Sequence, residues 1–412
     1  MFLHNLRTFR SLSNPSFRLY FANNLVGQGA VNMLWMARSL LVYRLTGSAA
    51  LLGIASVTNF VPLIFLSPLG GVLADRLKKK YVVLAGQVSS VLMALLVAVP
   101  LSLGYLQPGD KASWWVLIAS YVLDGMAMGL TGPSYQALIR EIVTAEQVMN
   151  GVALNSLGMN VLRFIAPLVA GFVINAWGFA SVFYIAAGLF LAGNVFIVLI
   201  PAAKLETPLV AAQMRSWADI RKGFAYVQTD RTLAVLLVFM FVGVFLSMPY
   251  GSLMPIFADD VLKVGASGLG ILLSVSGIGA TLVSVVLASI PNKRRGIILL
   301  AGSVLLGVTL TAFSFSTLWY ASLVFIFFVG LGDTTRMTVG NALLLYYSDH
   351  AYWGRVMSLQ AMAFGISSLG VVIAALLAQE IGAQWAIGGL ALLLVAISAS
   401  AFAFLPRLRK LE

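Results

Sequence analysis

Leu66-Ser67-Pro68-Leu69-Gly70-Gly71-Val72-Leu73-Ala74-Asp75-Arg76-Leu77-Lys78-Lys79-Lys80 sets an apolar run holding two glycines against one carboxylate and four cations. A helix leaving a hydrocarbon layer needs a boundary of this kind: its apolar side chains end where the headgroups begin, and the cations beyond them stay in water. The stretch reads as a membrane-helix exit, and the chain on either side of it repeats the pattern.

Sixty per cent of the 412 residues are hydrophobic and 10% are charged, with a mean hydropathy of +0.96. A soluble domain would carry about a quarter charged residues, so the bilayer is the solvent for most of this chain. Crossing a hydrocarbon layer of about 30 Å takes about 20 apolar residues. Twelve stretches have the length: Phe17–Val42, Leu51–Ala74, Val82–Leu103, Trp114–Ile139, Val148–Asn175, Phe179–Ile200, Leu233–Phe257, Gly268–Ile290, Ile297–Phe315, Leu318–Leu345, Val356–Gln379 and Trp385–Phe404. Cysteine is absent, which excludes disulfides and thiolate metal sites. The N-terminus, with Arg7, Arg10 and Arg18, lacks the short apolar core and small-residue cleavage site of a secretory leader, so the first span is expected to act as its own insertion signal.

The long polar segment Pro201 to Arg231 divides the spans six and six. The expected organisation is a six-helix bundle over residues 1–200, a cytoplasmic linker over 201–231 and a second bundle over 232–412. Within the linker, Trp217, Ile220, Phe224 and Val227 recur at helical spacing with Arg221 and Lys222 opposite, which predicts an amphipathic helix along the membrane surface; a solvated linker is the alternative. The formal net charge of +12 could suggest nucleic acid, so the position of the cations decides. With a cytoplasmic N-terminus, outside loops hold Arg44, Lys111 and Lys263, while the basic loops at Arg76 to Lys80, Lys293 to Arg295 and Arg407 to Lys410 fall inside. That positive-inside bias puts both termini in the cytoplasm and accounts for the charge without nucleic acid.

The pattern Gly71-x-x-x-Asp75-Arg76-x-x-Lys79-Lys80 resembles the loop between the second and third helices of the major facilitator superfamily, with Lys78 where that signature has glycine. The resemblance implies an all-α polytopic membrane protein of twelve transmembrane helices in two pseudo-symmetric six-helix bundles. It also implies a conformational latch built from Gly71, Asp75 and Arg76 with Arg140 or Arg355, in which Asp75 meets the positive N-terminal end of the eleventh helix in one of two domain orientations. The plainer alternative is that Asp75 offsets its lysine neighbours. The phrase from Pro133 through Arg140, Glu146 and Asn150 to Asn155 is similar to the macrolide-efflux and siderophore-exporter branch. Ala166-Pro167-Leu168-Val169-Ala170-Gly171 resembles a degenerate antiporter signature, and reads equally well as packing of small residues. The proton relay of drug exporters, an arginine before a Gln-Gly pair, does not carry over, since the fourth span has Tyr121 and Asp124-Gly125.

The halves echo each other: Leu123-Asp124-Gly125 against Leu331-Gly332-Asp333, with a one-residue slip, and Asn150-Gly151-Val152 against Gly354-Arg355-Val356. A parallel duplication leaves such traces.

Removing loop charges leaves Arg38, Asp124, Arg163, Asp333 and Arg336 inside spans, where each costs at least a few kcal/mol unless paired or hydrated. Asp124 and Asp333 are the candidate proton-coupling groups, because a carboxylate balanced between desolvation and a nearby guanidinium can exchange protons. Arg163, on the next helix, is the expected partner of Asp124. Asp333 and Arg336 share one helix face and can neutralise each other. Arg38, in the outer third of its span, is either a headgroup anchor beside Arg44 or a substrate contact. Asn23, Asn24, Gln28 and Asn32 of the first span and Gln360 of the eleventh complete the candidate substrate cavity with Arg38, Arg163 and Arg336; Asn155 and Asn160 follow in the fifth. Spans three, six, nine and twelve carry almost no such groups, which implies an inner ring of helices around a wet cavity and an outer ring facing lipid.

The spans hold no histidine, His-Glu-x-x-His, Gly-x-Ser-x-Gly or P-loop, so no enzyme, metal site or cofactor is expected and an ion gradient is the expected source of energy. Methionines such as Met33, Met36, Met126 and Met128 suit an adaptable apolar pocket. The expected function is proton-coupled export of amphipathic or hydrophobic small molecules by alternating access: a multidrug-type antiporter, monomeric, surrounded by membrane lipids in a bacterial cytoplasmic (inner) membrane. A lipid (lysophospholipid) flippase and an importer of a small organic anion are the alternatives.

Overall fold

The structure is a computed structural model that describes residues 11–107, 114–142, 145–201, 217–290, 293–349, 352–409 and 411. Arg7, Arg10, Lys111, Lys410 and the linker before Trp217 lie outside the described residues, as do the side chains of Asp75, Arg140, Glu146, Trp217, Ile220 and Lys222.

The first half forms α1 (Pro15–Thr46), α2 (Ala49–Arg76), α3 (Lys79–Ser102), α4 (Trp115–Ile142), α5 (Ala145–Trp177) and α6 (Phe179–Val198). After α7 (Trp217–Thr229), the second half forms α8 (Arg231–Ser247), α9 (Pro249–Ile256), α10 (Gly265–Ser289), α11 (Arg295–Phe315), α12 (Trp319–Tyr347), α13 (Trp353–Ile381), α14 (Ala383–Phe404) and the short α15 (Pro406–Arg409). Among the described residues, eleven spans are apolar and long enough to cross a bilayer, with α8, α9 and the turn after them taken as one. The twelfth is α1, 32 residues long, whose Asn23, Asn24, Gln28, Asn32 and Arg38 dilute its apolar character. The all-α, twelve-helix expectation therefore holds.

The seventh span is broken for a visible reason. Pro249 has no amide proton to continue the ladder of α8, so the helix restarts as α9 with Pro249 at its first position and ends in a π turn over Phe257–Val261. At its start, the carboxylate of Asp230 caps α8 by accepting the Thr232 amide at 2.7 Å.

Two compact units result, Met1–Thr46 with Thr58–Met214, and Gly47–Val57 with Arg215–Glu412. In the first, α1 packs on α4, α5 and α6, and α3 lies between α4 and α6. Phe17, Val83, Leu138, Leu154 and Ile197 join those five helices at one end. In the second, α11 lies between α12 and α14, α10 packs on α12, and α8 on α13. The amphipathic α7 forms as the spacing requires and docks on α13. Val227 enters the core at 8% exposure, Tyr226 stacks on Tyr352 with ring centroids 3.9 Å apart, and Phe224 stays exposed.

The basic loop departs from a plain solvated charge run. Lys78 adopts φ −63°, ψ 114°, an extended conformation open to any residue, so the glycine of the resembled signature is not needed there. Lys80 is buried, and its Nζ donates to the carbonyls of Val198 at 2.8 Å and Ile200 at 2.6 Å. It thereby closes the C-terminal end of α6, where unpaired carbonyls and the helix dipole favour a cation. The glycine that close packing demands is Gly70, against the Gly129 and Leu130 carbonyls; Gly71 faces open space.

Internal packing also sets the register between the halves. Gly86 of α3 sits on Thr131 of α4 as Gly302 of α11 sits on Thr335 of α12, and Gly125 on the Asn59 carbonyl as Gly330 on the Ser276 carbonyl. The two matches agree within one residue. They place Asp333 level with Gly129 or its neighbour, and Asp124 level with Phe328 or its neighbour. The carboxylates are therefore offset by more than a helical turn, and the apparent Asp124/Asp333 echo is a coincidence of spelling. The α5 and α13 echo at Asn150 and Gly354 keeps the register that Thr131 and Thr335 define.

Candidate functional site

In the first unit the site begins at Arg38 on α1, which is 2% exposed. Its Nη2 donates to Asp124 Oδ2 on α4 at 2.9 Å, its Nη1 donates to the Ser120 carbonyl at 3.4 Å, and its guanidinium lies 5.0 Å from the centre of the Tyr121 ring. Asn59 of α2 completes the cluster, its Nδ2 donating to Asp124 Oδ2 at 3.3 Å and to the Tyr121 carbonyl at 3.1 Å. The next residue, Gly125, allows this approach, because a Cβ there would collide with the Asn59 carbonyl. Both donors converge on Oδ2, Oδ1 takes no hydrogen bond among the described residues, and 14% of the Asp124 side chain remains accessible.

This arrangement corrects two expectations. Arg38 does not reach for the headgroups; it is enclosed and paired. Arg163 is not the partner of Asp124, since it lies on an exposed face of α5. A buried guanidinium requires a counter-charge, and Asp124 of α4 supplies it.

In the second unit Arg336 is 1% exposed. Its Nη2 donates to Asp333 Oδ1 at 2.7 Å and to Ser247 Oγ of α8 at 3.3 Å. The expected neutralisation within α12 is thus present, with Asp333 retaining 34% side-chain exposure. Gly243 of α8 leaves room for the guanidinium, whose Nη1 would lie 3.0 Å from a Cβ there. The Nε and Nη1 of Arg336 have no hydrogen-bond partner among the described residues.

The other expected cavity residues divide. Asn23 is wholly enclosed and accepts a bond from Gln87 of α3, which also donates to the Tyr135 hydroxyl at 2.7 Å. It knits α1, α3 and α4 together and lines no open space. Asn24 donates to Asn155 of α5 at 2.7 Å, and Asn32 to the Gln28 carbonyl at 2.8 Å; Gln28 and Asn32 are half-buried. Gln360 of α13 is 5% exposed and donates to Asn341 of α12. Of the latch residues, Arg76 is exposed, while Arg355 lies 5.0 Å from the Tyr352 ring centre.

Asn59, Ser247, Gln87 and Asn341 are the partners that sequence analysis missed. A signal existed for the first: a lone side-chain amide in the largely apolar α2, one turn before Pro62.

Twelve spanning helices in two units, each holding a buried arginine paired with an aspartate, define a polytopic transporter. Among curated proteins the chain is 23% identical to macrolide efflux protein A of Streptococcus pyogenes over 82% of this chain and 83% of that protein. It is also 23% identical to the enterobactin exporter of Shigella boydii serotype 4, over 84% and 81%. A crystal structure of a POT family transporter in complex with 5-aminolevulinic acid shares the fold, with a TM-score of 0.71 at 13% identity over 96% of this chain and 97% of that one. The chain belongs to the transmembrane secretion effector family of the major facilitator superfamily, whose match runs over residues 6–412. It is therefore a multi-pass membrane transporter with efflux-type relatives.

Proposed function

We propose that this transporter exports amphipathic or hydrophobic small molecules from a bacterial cytoplasm in exchange for protons, by alternating access. The supporting observation is the Arg38–Asp124–Asn59 cluster. A proton taken up by Asp124 cancels the charge that holds Arg38, leaving a guanidinium with 2% exposure unpaired. Breaking a buried pair from one side costs about 3–5 kcal/mol, enough to favour a different position of α1 against α4 or a different counter-ion. Protonation then biases which conformation is populated.

Asp333 is the second proposed coupling group, since its protonation releases Arg336 in the same way. Asn24, Gln28, Asn32 and Arg163 keep exposure and are the proposed substrate contacts of the first unit, and Gln360 is that of the second. Gly71, Asp75, Arg76, Arg140 and Arg355 remain the proposed latch. The names of the efflux relatives favour export, and the cation distribution favours cytoplasmic termini in an inner membrane. The protein is proposed to work as a monomer.

Inverted membrane vesicles containing the protein, given an imposed pH gradient and a panel of dyes, macrolides and siderophores, test the proposal. Gradient-dependent uptake of at least one compound, abolished by a protonophore, is the expected result. Uptake indifferent to the gradient, or movement of labelled lipid alone, overturns it.

A further inference from the structure

Away from both ion pairs, a groove of about 620 Å³ runs between α8 and α14 of the second unit. Phe239 and Ala401 form its floor at 6% and 3% exposure, and Val238 and Phe404 form its rims at 62% and 80%. Almost every lining side chain is apolar, Ser400 being the exception. Gly243 and Ser247, which serve Arg336, lie further along α8 and do not line the groove.

The groove ends where α8 begins and α14 finishes, and that end is basic. Arg231, the first residue of α8, stands one turn before the lining residues Ala234 and Val235 and is exposed. Arg407 and Arg409 follow the lining residue Leu405, both exposed, on α15, which packs against α8 and α11. The Gly296 amide donates to the Leu411 carbonyl at 3.0 Å, tying this C-terminal segment to the start of α11 beside Arg294 and Arg295. Asp230, the nearest carboxylate in sequence, is turned to the amides of α8. Arg231 and Arg407 form no ion pair among the described residues.

An apolar slot in a bilayer fills with an acyl chain by default; the cations at its mouth make the choice of headgroup specific. We propose that this groove is a binding site for one anionic phospholipid, its chain lying between Val238 and Phe404 and its phosphate between Arg231 and Arg407. A second copy of the chain is disfavoured as the occupant, because a two-fold pairing of this face would set the same arginines against each other. Each juxtamembrane cation adds attraction for an anionic headgroup, and two of them predict a preference of roughly ten- to thirty-fold over a zwitterionic lipid.

Native mass spectrometry of the full-length protein, titrated in detergent with phosphatidylglycerol or phosphatidylcholine of equal chain length, reads this preference without reference to transport. The expected result is a tightly retained phosphatidylglycerol whose preference falls to about three-fold or less in Arg231→Gln/Arg407→Gln. Both substituted side chains are exposed, so the fold is not at stake. Val238→Trp, at an exposed rim, is expected to fill the slot and lower retention of both lipids. Equal retention of the two lipids, a preference that survives the double substitution, or a dimer that Val238→Trp dissolves would overturn the proposal.

Discussion

At the residue scale, a buried ion pair is marginal in stability and decisive in specificity: removing both partners is tolerated far better than removing one. Arg38→Leu alone is expected to lower unfolding stability by about 3–5 kcal/mol, and Arg38→Leu/Asp124→Leu to recover most of that loss. Thermal unfolding in detergent across the double-mutant cycle checks this, and additive losses would show that the two side chains act separately. Gly125→Leu is expected to cost about 1–3 kcal/mol by forcing α4 from the Asn59 carbonyl. What the sequence disclosed at this scale was which residues are out of place in oil. It did not disclose their partners, because pairing is decided by which helix faces meet. Arg163 stands on the next helix but is exposed and away from Asp124, while Arg38 is remote in sequence and 2.9 Å from Asp124. Lys80 shows the same limit, reading as one cation in a cluster while closing α6 from within.

At the scale of elements, apolar length alone was sufficient to find the spans, since a bilayer leaves helices few alternatives. Polar α1 shows that composition is a weaker guide than position between neighbours. Breaks were harder to read: the restart at Pro249 follows from a missing amide proton, yet Pro62, Pro100 and Pro167 lie inside helices assigned without interruption. The loop before α11 carries a local cost, since Arg294 has φ 55° in a region that disfavours side chains. Arg294→Gly is expected to raise stability by about 0.5–1 kcal/mol, seen as a higher unfolding midpoint; a lower midpoint would mean that the arginine makes contacts outweighing its backbone strain.

At the scale of the molecule, the halves keep a common packing register yet place their carboxylates more than a turn apart along α4 and α12. The halves differ at these carboxylates, and only packing could reveal it, because matching letters had paired Asp124 with Asp333. The absence of cysteine makes topology directly testable. Single cysteines at Gln107 and Lys293 are expected to react with an impermeant maleimide from opposite sides, the first in intact cells and the second only in inverted vesicles. Labelling of both from outside would refute the proposed orientation.

The most direct test of proton coupling at Asp124 compares wild type with Asp124→Asn in proteoliposomes, using any compound that the wild type concentrates under a pH gradient. The predicted result is that the variant loses uphill accumulation while retaining gradient-free exchange of labelled for unlabelled compound. Undiminished gradient-driven accumulation by Asp124→Asn would contradict it.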